Sequence, residues 1–386
     1  MGHLDQNLKN VRALLQAALD SGIGSGMAAS FGKLIDLGTA RENDCDIYLG
    51  QTAREISSTP VNENTYFDLA SLTKILATTT LAMKRYEEGV LDLDGTISGP
   101  SKLRVRDLLT HSSGLPAWSP IFEKMRAHFG EQLPFFSLAE RREKFYEFLY
   151  GFLDSIPKEK KPDELVVYSD LGFMLLEAHL SGQVPGHFKD EVESLWKSLG
   201  ISGLHFRQVV ADAAAAATLS LENNESIAAT EICPWRGLLV GQVHDDNAWS
   251  LGGIAGHAGV FGRLIDLKAW LRGVFLGFAP GSFSPSVFSR SVFSRATLET
   301  FSKEAICLSG TRRALGFDMP SMDGTGSTGK AFSQNSVGHL GFTGTSLWID
   351  LDTGGYAILL TNRVHPKRDD LRIRQLRREF HQKAIE

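Results

Sequence analysis

Near both ends of the chain, hydrophobic residues recur with the spacing of a helix in some segments and with the pattern of a strand in others. Apolar stripes that recur every three to four residues predict amphipathic helices over residues 4–20 and 369–385. Short apolar runs predict strands over residues 27–35, 46–51, 313–317, 339–349 and 356–362. Residues 350–355 are rich in Asp, Thr and Gly, which favours a hairpin turn between the last two strands.

The middle of the chain is mostly helical in pattern. Helices are predicted over residues 104–109, 138–156, 171–180, 187–199, 264–276 and 297–303, and a short strand over residues 259–261. Strands at both ends with helices between them indicate an α+β fold: a largely antiparallel sheet built from both chain ends and flanked by helices, plus an inserted, mostly helical lobe. We place the sheet domain at residues 1–91 and 252–386 and the helical domain at 92–251. A site is expected in the cleft between them.

One stretch, Y-F-D-L-A-S-L-T-K at residues 66–74, combines a strand end with a helix start. The helical pattern begins at Ser71 and runs to Gly89. Lys74 follows three residues later, on the same face and about 4.5 Å along the axis. A hydroxyl at the positive end of a helix dipole, with an amine one turn behind it, can act as an activated nucleophile. The alternative interpretation is an N-cap serine and a solvated lysine.

Two further motifs follow in order. Tyr168-Ser169-Asp170 stands just before an apolar helix, and a glycine-rich segment at residues 338–350 runs into a strand. With S-x-x-K, this order resembles the serine β-lactamase and D,D-peptidase superfamily on its class C-like side. That family carries S-x-x-K, Y-x-N and then K-T-G or H-x-G. The stretches D-L-L-T-H-S-S-G-L (107–115) and G-I-A-G-H-A-G (253–259) also resemble it, and the similarity runs from about residue 26 to 366.

The resemblance implies a role for each motif residue. Ser71 would attack a carbonyl and form an acyl-enzyme. Its proton would pass to Tyr168 or to Lys74, which we treat as a coupled pair because a tyrosine with a pKa near 10 is a poor base alone. The backbone N–H groups of Ser71 and Phe342 would bind the oxyanion. Gly341, with its neighbouring glycines, would let substrate approach the inner strand closely.

Two residues depart from the family pattern. Asp170 stands where many members carry asparagine, and it either pairs with Lys74 or caps the next helix. His339 replaces the lysine of the third motif, and a histidine with a pKa near 6.5 is mostly neutral at pH 7. Arg363, at the end of the last strand, either supplies the missing positive charge or forms a salt bridge with a nearby acid.

Composition and the remaining motifs exclude other classes. A net charge of −5 gives no reason to expect nucleic acid as a partner. Three widely spaced cysteines argue against a disulfide framework and a zinc site. His244, Asp245, Asp246 and His257 match no known ligand spacing, so we predict no metal and no cofactor. Residues 324–330 have Walker A spacing, but Ala331 stands at the magnesium-binding position, which favours a loop. No G-x-S-x-G elbow occurs.

The sequence thus predicts a serine hydrolase whose substrate class comes from the resemblance. We expect a D,D-carboxypeptidase or D,D-endopeptidase acting on peptidoglycan stem peptides and also binding β-lactams. An esterase, a class C-like β-lactamase and a penicillin sensor without turnover are the alternatives. No apolar run is long enough to insert stably in a membrane. The first residues lack the pattern of a secretory signal. The expected substrate class nevertheless indicates an extracytoplasmic, for example periplasmic, location. A cytoplasmic location stays open, and so does the oligomeric state.

Overall fold

The central sheet is built from the two ends of the chain. The computed structural model describes residues 2–37, 45–55, 58–97, 102–156, 164–182, 187–209, 225–278 and 292–385. Its five-stranded sheet has the order β10-β11-β12-β1-β2, with every neighbouring pair antiparallel. These strands are β1 (Gly26–Lys33), β2 (Ile47–Gly50), β10 (Ser336–Leu340), β11 (Ser346–Asp350) and β12 (Gly355–Thr361). The predicted α+β architecture is confirmed.

Among the described residues, seven shorter strands lie between β2 and β10. They are β3 (Phe67–Asp68), β4 (His205–Phe206), β5 (Ile232–Cys233), β6 (Gly237–Leu238), β7 (Val260–Gly262), β8 (Ile306–Leu308) and β9 (Thr311–Arg313). In a small second sheet β7 pairs with β3 on one side and with β4 on the other. Because β3 ends two residues before Ala70, this sheet anchors the start of the segment that carries Ser71.

The helices of the described residues are distributed along the whole chain. They are α1 (Gly2–Asp20), α2 (Thr80–Glu87), α3 (Val105–Leu109), α4 (Ile121–Phe129), α5 (Leu138–Ser155), α6 (Asp170–Leu180), α7 (His187–Ser198), α8 (Asp246–Ser250), α9 (Leu264–Phe275), α10 (Arg295–Ser302) and α11 (Ile373–Ile385). The sequence pattern missed α4 and α8. None of these helices is long and apolar enough to cross a bilayer.

The side chains of the central strands alternate between the two faces of the sheet, and each face packs against a different hydrophobic cluster. Phe31 of β1 and Leu359 of β12 pack with Val11 and Phe380 of the terminal helices α1 and α11. Ile358, the residue before Leu359 in β12, faces a larger cluster that continues into the helical lobe. Successive side chains of a strand point to opposite faces, so each of these strands supplies both clusters. The terminal helices therefore cover one face of the sheet, as predicted.

Two predicted elements differ from the structure, and a third agrees with it. The segment predicted as one strand over residues 339–349 is a hairpin, because β10 and β11 are joined by a turn through residues 341–345. The strand predicted over 313–317 ends at Arg313, and residues 314–317 form the turn that follows. The stretch at residues 324–330 lies in turns, consistent with the predicted loop. The division into domains at residues 91 and 252 stays a prediction.

Candidate active site

A cleft of about 660 Å³ opens between the sheet and the helical lobe. Trp118 and His244, from the middle of the chain, form part of its wall. Its lining includes six of the seven residues that the sequence selected: Ser71, Tyr168, Asp170, His339, Gly341 and Phe342. The seventh, Lys74, is fully buried beneath them. Residues nearly 270 positions apart in the sequence therefore meet in one crevice.

Ser71 lies in a tight helical turn directly after an unusual backbone conformation. Ala70 has a φ of 47°, in the left-handed region that costs energy for residues other than glycine. The buried carboxylate of Asp68 holds this bend by accepting the Ala70 N–H at 2.8 Å and the His244 N–H at 2.7 Å. The predicted helix is irregular at its start: a 3₁₀ turn over Ala70–Leu72, then a π-helical segment over Lys74–Thr79. The bend projects the Ser71 side chain into the cleft.

The amine of Lys74 is fixed by three oxygen atoms. Its Nζ donates to Oγ of Ser71 at 3.0 Å, to Oδ1 of Asp170 at 2.7 Å and to the carbonyl oxygen of His257 at 3.0 Å. Burial acts to lower the pKa of Lys74, but the Asp170 carboxylate and the Tyr168 phenol outweigh it, and the net direction is upward. Lys74 is therefore an ammonium ion in the resting site, and Asp170 is its counter-ion.

Tyr168 lies against the same two side chains. Nζ of Lys74 lies 5.0 Å from the centre of its ring, and Tyr168 lines the cleft beside Ser71. Burial raises the pKa of Tyr168; the Lys74 charge opposes this shift and the Asp170 charge adds to it, with a net rise. The Lys74 charge thus acts to lower the pKa of Tyr168, but burial and the Asp170 charge outweigh it. Both groups hold their protons, because the carboxylate stabilises the lysine cation.

The loop after α3 positions the Tyr168 segment. His111 accepts the Ser169 N–H on Nδ1 at 3.0 Å, and its carbonyl oxygen accepts the Val167 N–H at 2.9 Å. The Asp170 N–H donates to the carbonyl oxygen of Ala117 at 3.0 Å. The stretch D-L-L-T-H-S-S-G-L thus supports the second motif through hydrogen bonds of His111.

The turn between β10 and β11 is tied to the residues just before Ser71. Thr343 donates its hydroxyl to the carbonyl oxygen of Asp68 at 2.7 Å, and Thr345 donates to that of Leu69 at 3.1 Å. A Cβ on Gly341 would lie 2.0 Å from Thr345 Oγ1 and 2.6 Å from the Leu69 oxygen, so only glycine fits there. These contacts fix Phe342, the predicted oxyanion residue, relative to Ser71. The sequence missed both threonines, although they lie inside the third motif.

His339 and Arg363 differ in how they fit their expected roles. His339 is buried, and burial, with the nearby Lys74 and Arg313 charges, lowers its pKa well below the usual value. It is therefore neutral at pH 7, as expected. Arg363 donates Nε to the carbonyl oxygen of Phe342 at 2.8 Å, and its guanidinium lies 4.4 Å from the centre of that ring. Its other contacts are backbone carbonyls of Arg368 and Asp370, in place of the expected salt bridge.

The four residues with metal-binding side chains at 244–257 are engaged elsewhere. His257 donates to Asp245 at 2.9 Å, His244 bonds Glu231 at 3.0 Å, and Asp246 pairs with an arginine. Across the described ranges, no group of three histidine, cysteine or acidic side chains is arranged to hold a metal ion. These side chains form hydrogen bonds and one ion pair close to the cleft wall.

Comparison with known families agrees with this geometry. The family model described as Beta-lactamase matches residues 45–382, most of the chain. The chain belongs to the Beta-lactamase family. This matched region contains every residue selected for the site. Together with the similar proteins described below, the match indicates a serine hydrolase of the β-lactamase fold.

Two relatives and one solved structure illustrate the similarity. The Escherichia coli (strain K12) protein named "Putative D-alanyl-D-alanine carboxypeptidase" is 27% identical over 358 residues, covering 85% of this chain and 74% of the relative. An "N-acetylmuramyl-L-alanine amidase" of Bacillus subtilis (strain 168) is 29% identical over 327 residues, covering 78% and 68%. A class C β-lactamase superposes with a TM-score of 0.65 at 16% identity, covering 98% of this chain and 97% of that one. The last comparison supports the shared fold.

Proposed function

We propose that the protein is a serine hydrolase that works through an acyl-enzyme on Ser71. The observation that carries this proposal is the convergence of three side chains: Ser71 Oγ lies 3.0 Å from Nζ of Lys74, and that Nζ lies 5.0 Å from the centre of the Tyr168 ring, which lines the same cleft as Ser71. A serine hydroxyl is a weak nucleophile unless an adjacent group takes its proton. Because Ser71 lines the cleft while Lys74 lies beneath it, a carbonyl carbon can reach the hydroxyl from the solvent side.

Proton transfer runs through the Lys74 and Tyr168 pair. As Ser71 Oγ bonds to the substrate carbonyl carbon, its proton passes to the pair once the pair has lost one proton to solvent. The pair then returns a proton to the leaving amine or alcohol, and a water molecule, deprotonated in the same way, hydrolyses the ester. Asp170 holds the lysine as a cation at 2.7 Å, which favours the phenolate of Tyr168 as the form that accepts the proton.

Oxyanion stabilisation is assigned to the N–H groups of Ser71 and Phe342. The hydroxyls of Thr343 and Thr345 tie the β10–β11 turn to the backbone before Ser71, which holds the two N–H groups in a fixed relation. Donors that are already oriented stabilise the developing negative charge without reorganisation. Removal of one such donor in a serine protease costs about 10² to 10³ in turnover.

We infer that the substrate is a peptide of the peptidoglycan stem, cleaved as a D,D-carboxypeptidase or D,D-endopeptidase would cleave it. Both relatives carry names that describe hydrolysis of an amide next to alanine. The cleft also carries positive charge that can meet a terminal carboxylate: Arg374 is exposed at its edge, where it can replace the charge that the neutral His339 lacks. This substrate class implies an extracytoplasmic site of action, with β-lactams as competing acylating ligands.

An esterase is the second candidate, and one observation favours it. His339 is buried and neutral, so the inner strand does not offer a substrate carboxylate the cation that a lysine would provide. An ester without a terminal carboxylate needs no such charge. A β-lactamase and a sensor that is acylated without turnover differ from these in how fast the acyl-enzyme is hydrolysed.

Three substrates separate these functions. The purified protein should release D-alanine from muropeptides, or split cross-linked muropeptides into monomers, faster than it hydrolyses nitrocefin or a short-chain p-nitrophenyl ester. Hydrolysis of the ester alone would support the esterase, and rapid loss of nitrocefin the β-lactamase. A fluorescent penicillin adduct that lasts for hours without muropeptide cleavage would support the sensor. No muropeptide cleavage at equimolar enzyme would refute the peptidase.

A further inference from the structure

A largely buried arginine lies near the ring of Tyr168. The guanidinium carbon of Arg313 is 5.6 Å from the centre of that ring, and the Arg313 side chain is 12% exposed. Arg313 belongs to none of the three motifs, and it reaches the site from the β8–β9 hairpin. A cation at this distance from an aromatic ring is attracted to its π face and, more strongly, to a negative charge on its oxygen.

The backbone around Arg313 leaves it little freedom to move. Asp318, five residues later, forms an ion pair with Arg313 and exchanges two backbone hydrogen bonds with Gly338 of β10, at 2.8 and 3.1 Å. Between them, Gly316 donates its N–H to the carbonyl oxygen of Leu109 at 3.0 Å. The turn is therefore held between the inner strand and the end of α3, and it presents Arg313 to Tyr168 at a set distance.

The other groups around Tyr168 supply less positive charge than their residue types suggest. Lys74 is cationic but is paired with Asp170 at 2.7 Å. The rings of His111 and His339 lie 4.6 and 5.8 Å from that of Tyr168. Burial makes both imidazoles neutral, and the charge of Arg313 lowers both of their pKa values further. The titratable and charged side chains facing Tyr168 or paired with its neighbours are thus Lys74, His111, Asp170, Arg313, Asp318 and His339.

We propose that Arg313 is a positioning residue for the reaction: its guanidinium stabilises the phenolate form of Tyr168, the form that takes the proton of Ser71. Although Arg313 is paired with Asp318, it adds to Lys74 a second positive charge near the Tyr168 ring, where His339 is neutral. The inference rests on the proposed function only for its catalytic consequence. The effect of Arg313 on the ionisation of Tyr168 is a property of the free protein.

The test measures that ionisation directly. Protein labelled with 13C at the tyrosine Cζ shows one signal for each of the seven tyrosines, and the Tyr168→Phe variant assigns the signal of Tyr168. In Arg313→Gln, the titration of Tyr168 should move to higher pH by about one unit, and the acylation rate at pH 7 should fall about tenfold, since the ionised fraction changes tenfold per unit. Arg313→Lys keeps the positive charge, so its Tyr168 titration and its acylation rate should both stay close to those of the wild type.

Arg312→Gln is the matched control on the same strand. Arg312 contacts Glu304 and donates to the backbone oxygens of Pro320 and Gln334, away from Tyr168, so its loss should leave the Tyr168 titration unchanged. An unmoved Tyr168 titration in Arg313→Gln, or an equal shift in Arg312→Gln, would overturn the proposal. The titration needs no turnover, so it is readable even if the wild type is inactive on every substrate, a result that would refute the proposed function alone.

A second variant covers the case in which Arg313→Gln does not fold. Asp318→Asn removes the counter-ion of Arg313, so the full charge of the guanidinium acts on Tyr168. The Tyr168 titration should then move to lower pH, and Asp318→Asn combined with Arg313→Lys should keep that direction. A titration that stays in place or moves to higher pH in Asp318→Asn overturns the proposal.

Discussion

The Nζ of Lys74 lies 2.7 Å from Oδ1 of Asp170, and this ion pair sets the protonation state of the candidate site. Lys74 is fully buried, and a buried ammonium without a partner would lose its proton. The carboxylate reverses that tendency. Because the Tyr168 phenol also keeps its proton, the resting pair must release one proton before Ser71 can be deprotonated.

The first prediction concerns pH. The pKa values of Lys74 and Tyr168 are both raised above their usual values near 10, so the proton-accepting form becomes more populated as pH rises. We expect kcat/KM to increase about tenfold per pH unit from pH 7 to 9 in a steady-state assay. His111 and His339 titrate well below their usual range, so neither adds an inflection near pH 7. A bell-shaped profile centred near pH 7 would contradict this assignment.

Asp170→Asn should move that profile. The substitution removes the charge that favours the ammonium of Lys74, so burial then lowers the pKa of Lys74 and frees its amine at lower pH. We expect the rising limb of kcat/KM to shift to lower pH by at least about one unit. Asp94→Asn, at an exposed carboxylate paired with Arg106, is the control. If the limb stays in place in Asp170→Asn, the ion pair does not set the protonation state.

Gly341→Ala should damage the oxyanion site. The new Cβ would lie 2.0 Å from Thr345 Oγ1 and 2.6 Å from the Leu69 oxygen, so the turn that carries Phe342 must move. We expect kcat to fall about 10² to 10³ fold, as when an oxyanion donor is lost. Gly151→Ala, on α5 with no atom within 4 Å of the added Cβ, should retain activity and raise stability by about 1 kcal/mol. Wild-type kcat in folded Gly341→Ala would exclude this turn from the oxyanion site.

Arg374→Ala should discriminate between substrates. Arg374 is exposed at the edge of the cleft, where it can bond a terminal carboxylate. A charged hydrogen bond contributes about 1.5 to 3 kcal/mol, so KM for a peptide with a free C-terminus should rise about 10- to 100-fold. KM for an uncharged p-nitrophenyl ester should not change. Arg378→Ala, exposed on the same helix and bonded to the Thr325 carbonyl, is the control. An equal rise in KM for both substrates would argue against carboxylate recognition.

Much of the architecture follows from local patterns in the sequence. The helical spacing of apolar residues in the terminal segments predicts α1 and α11, and the apolar runs predict β1, β2 and β12. These predictions succeed because each element buries one face or both faces in a continuous core. The hairpin of β10 and β11 was missed because its turn, G-F-T-G-T, contains apolar and β-branched residues and resembles a strand. Its shape depends on hydroxyl bonds to Asp68 and Leu69, about 275 residues away in sequence, which no local pattern reveals.

The chemistry at the site was predictable in type but not in detail. S-x-x-K and Tyr168 are the basis for the proposed reacting groups, because a serine, a lysine one turn later and a distant tyrosine occur in the order typical of a serine acyl-enzyme site. The pairing of Asp170 with Lys74 was one of two alternatives, and only the geometry selects it. No motif in the sequence pointed to a role for Arg313, because its position depends on a turn that is held by backbone hydrogen bonds to β10 and α3. Electrostatic roles that arise from such tertiary contacts cannot be inferred from residue spacing.

Intact mass after treatment with benzylpenicillin tests the nucleophile most directly, for the wild type and for Ser71→Ala. The wild type should gain the mass of one β-lactam, and tryptic digestion should place it on the peptide that contains Ser71. The Ser71→Ala variant should gain no mass while keeping the wild-type melting temperature. A Ser71→Ala protein that still gains one equivalent of adduct, or a wild type labelled on another residue, would contradict the assignment of Ser71.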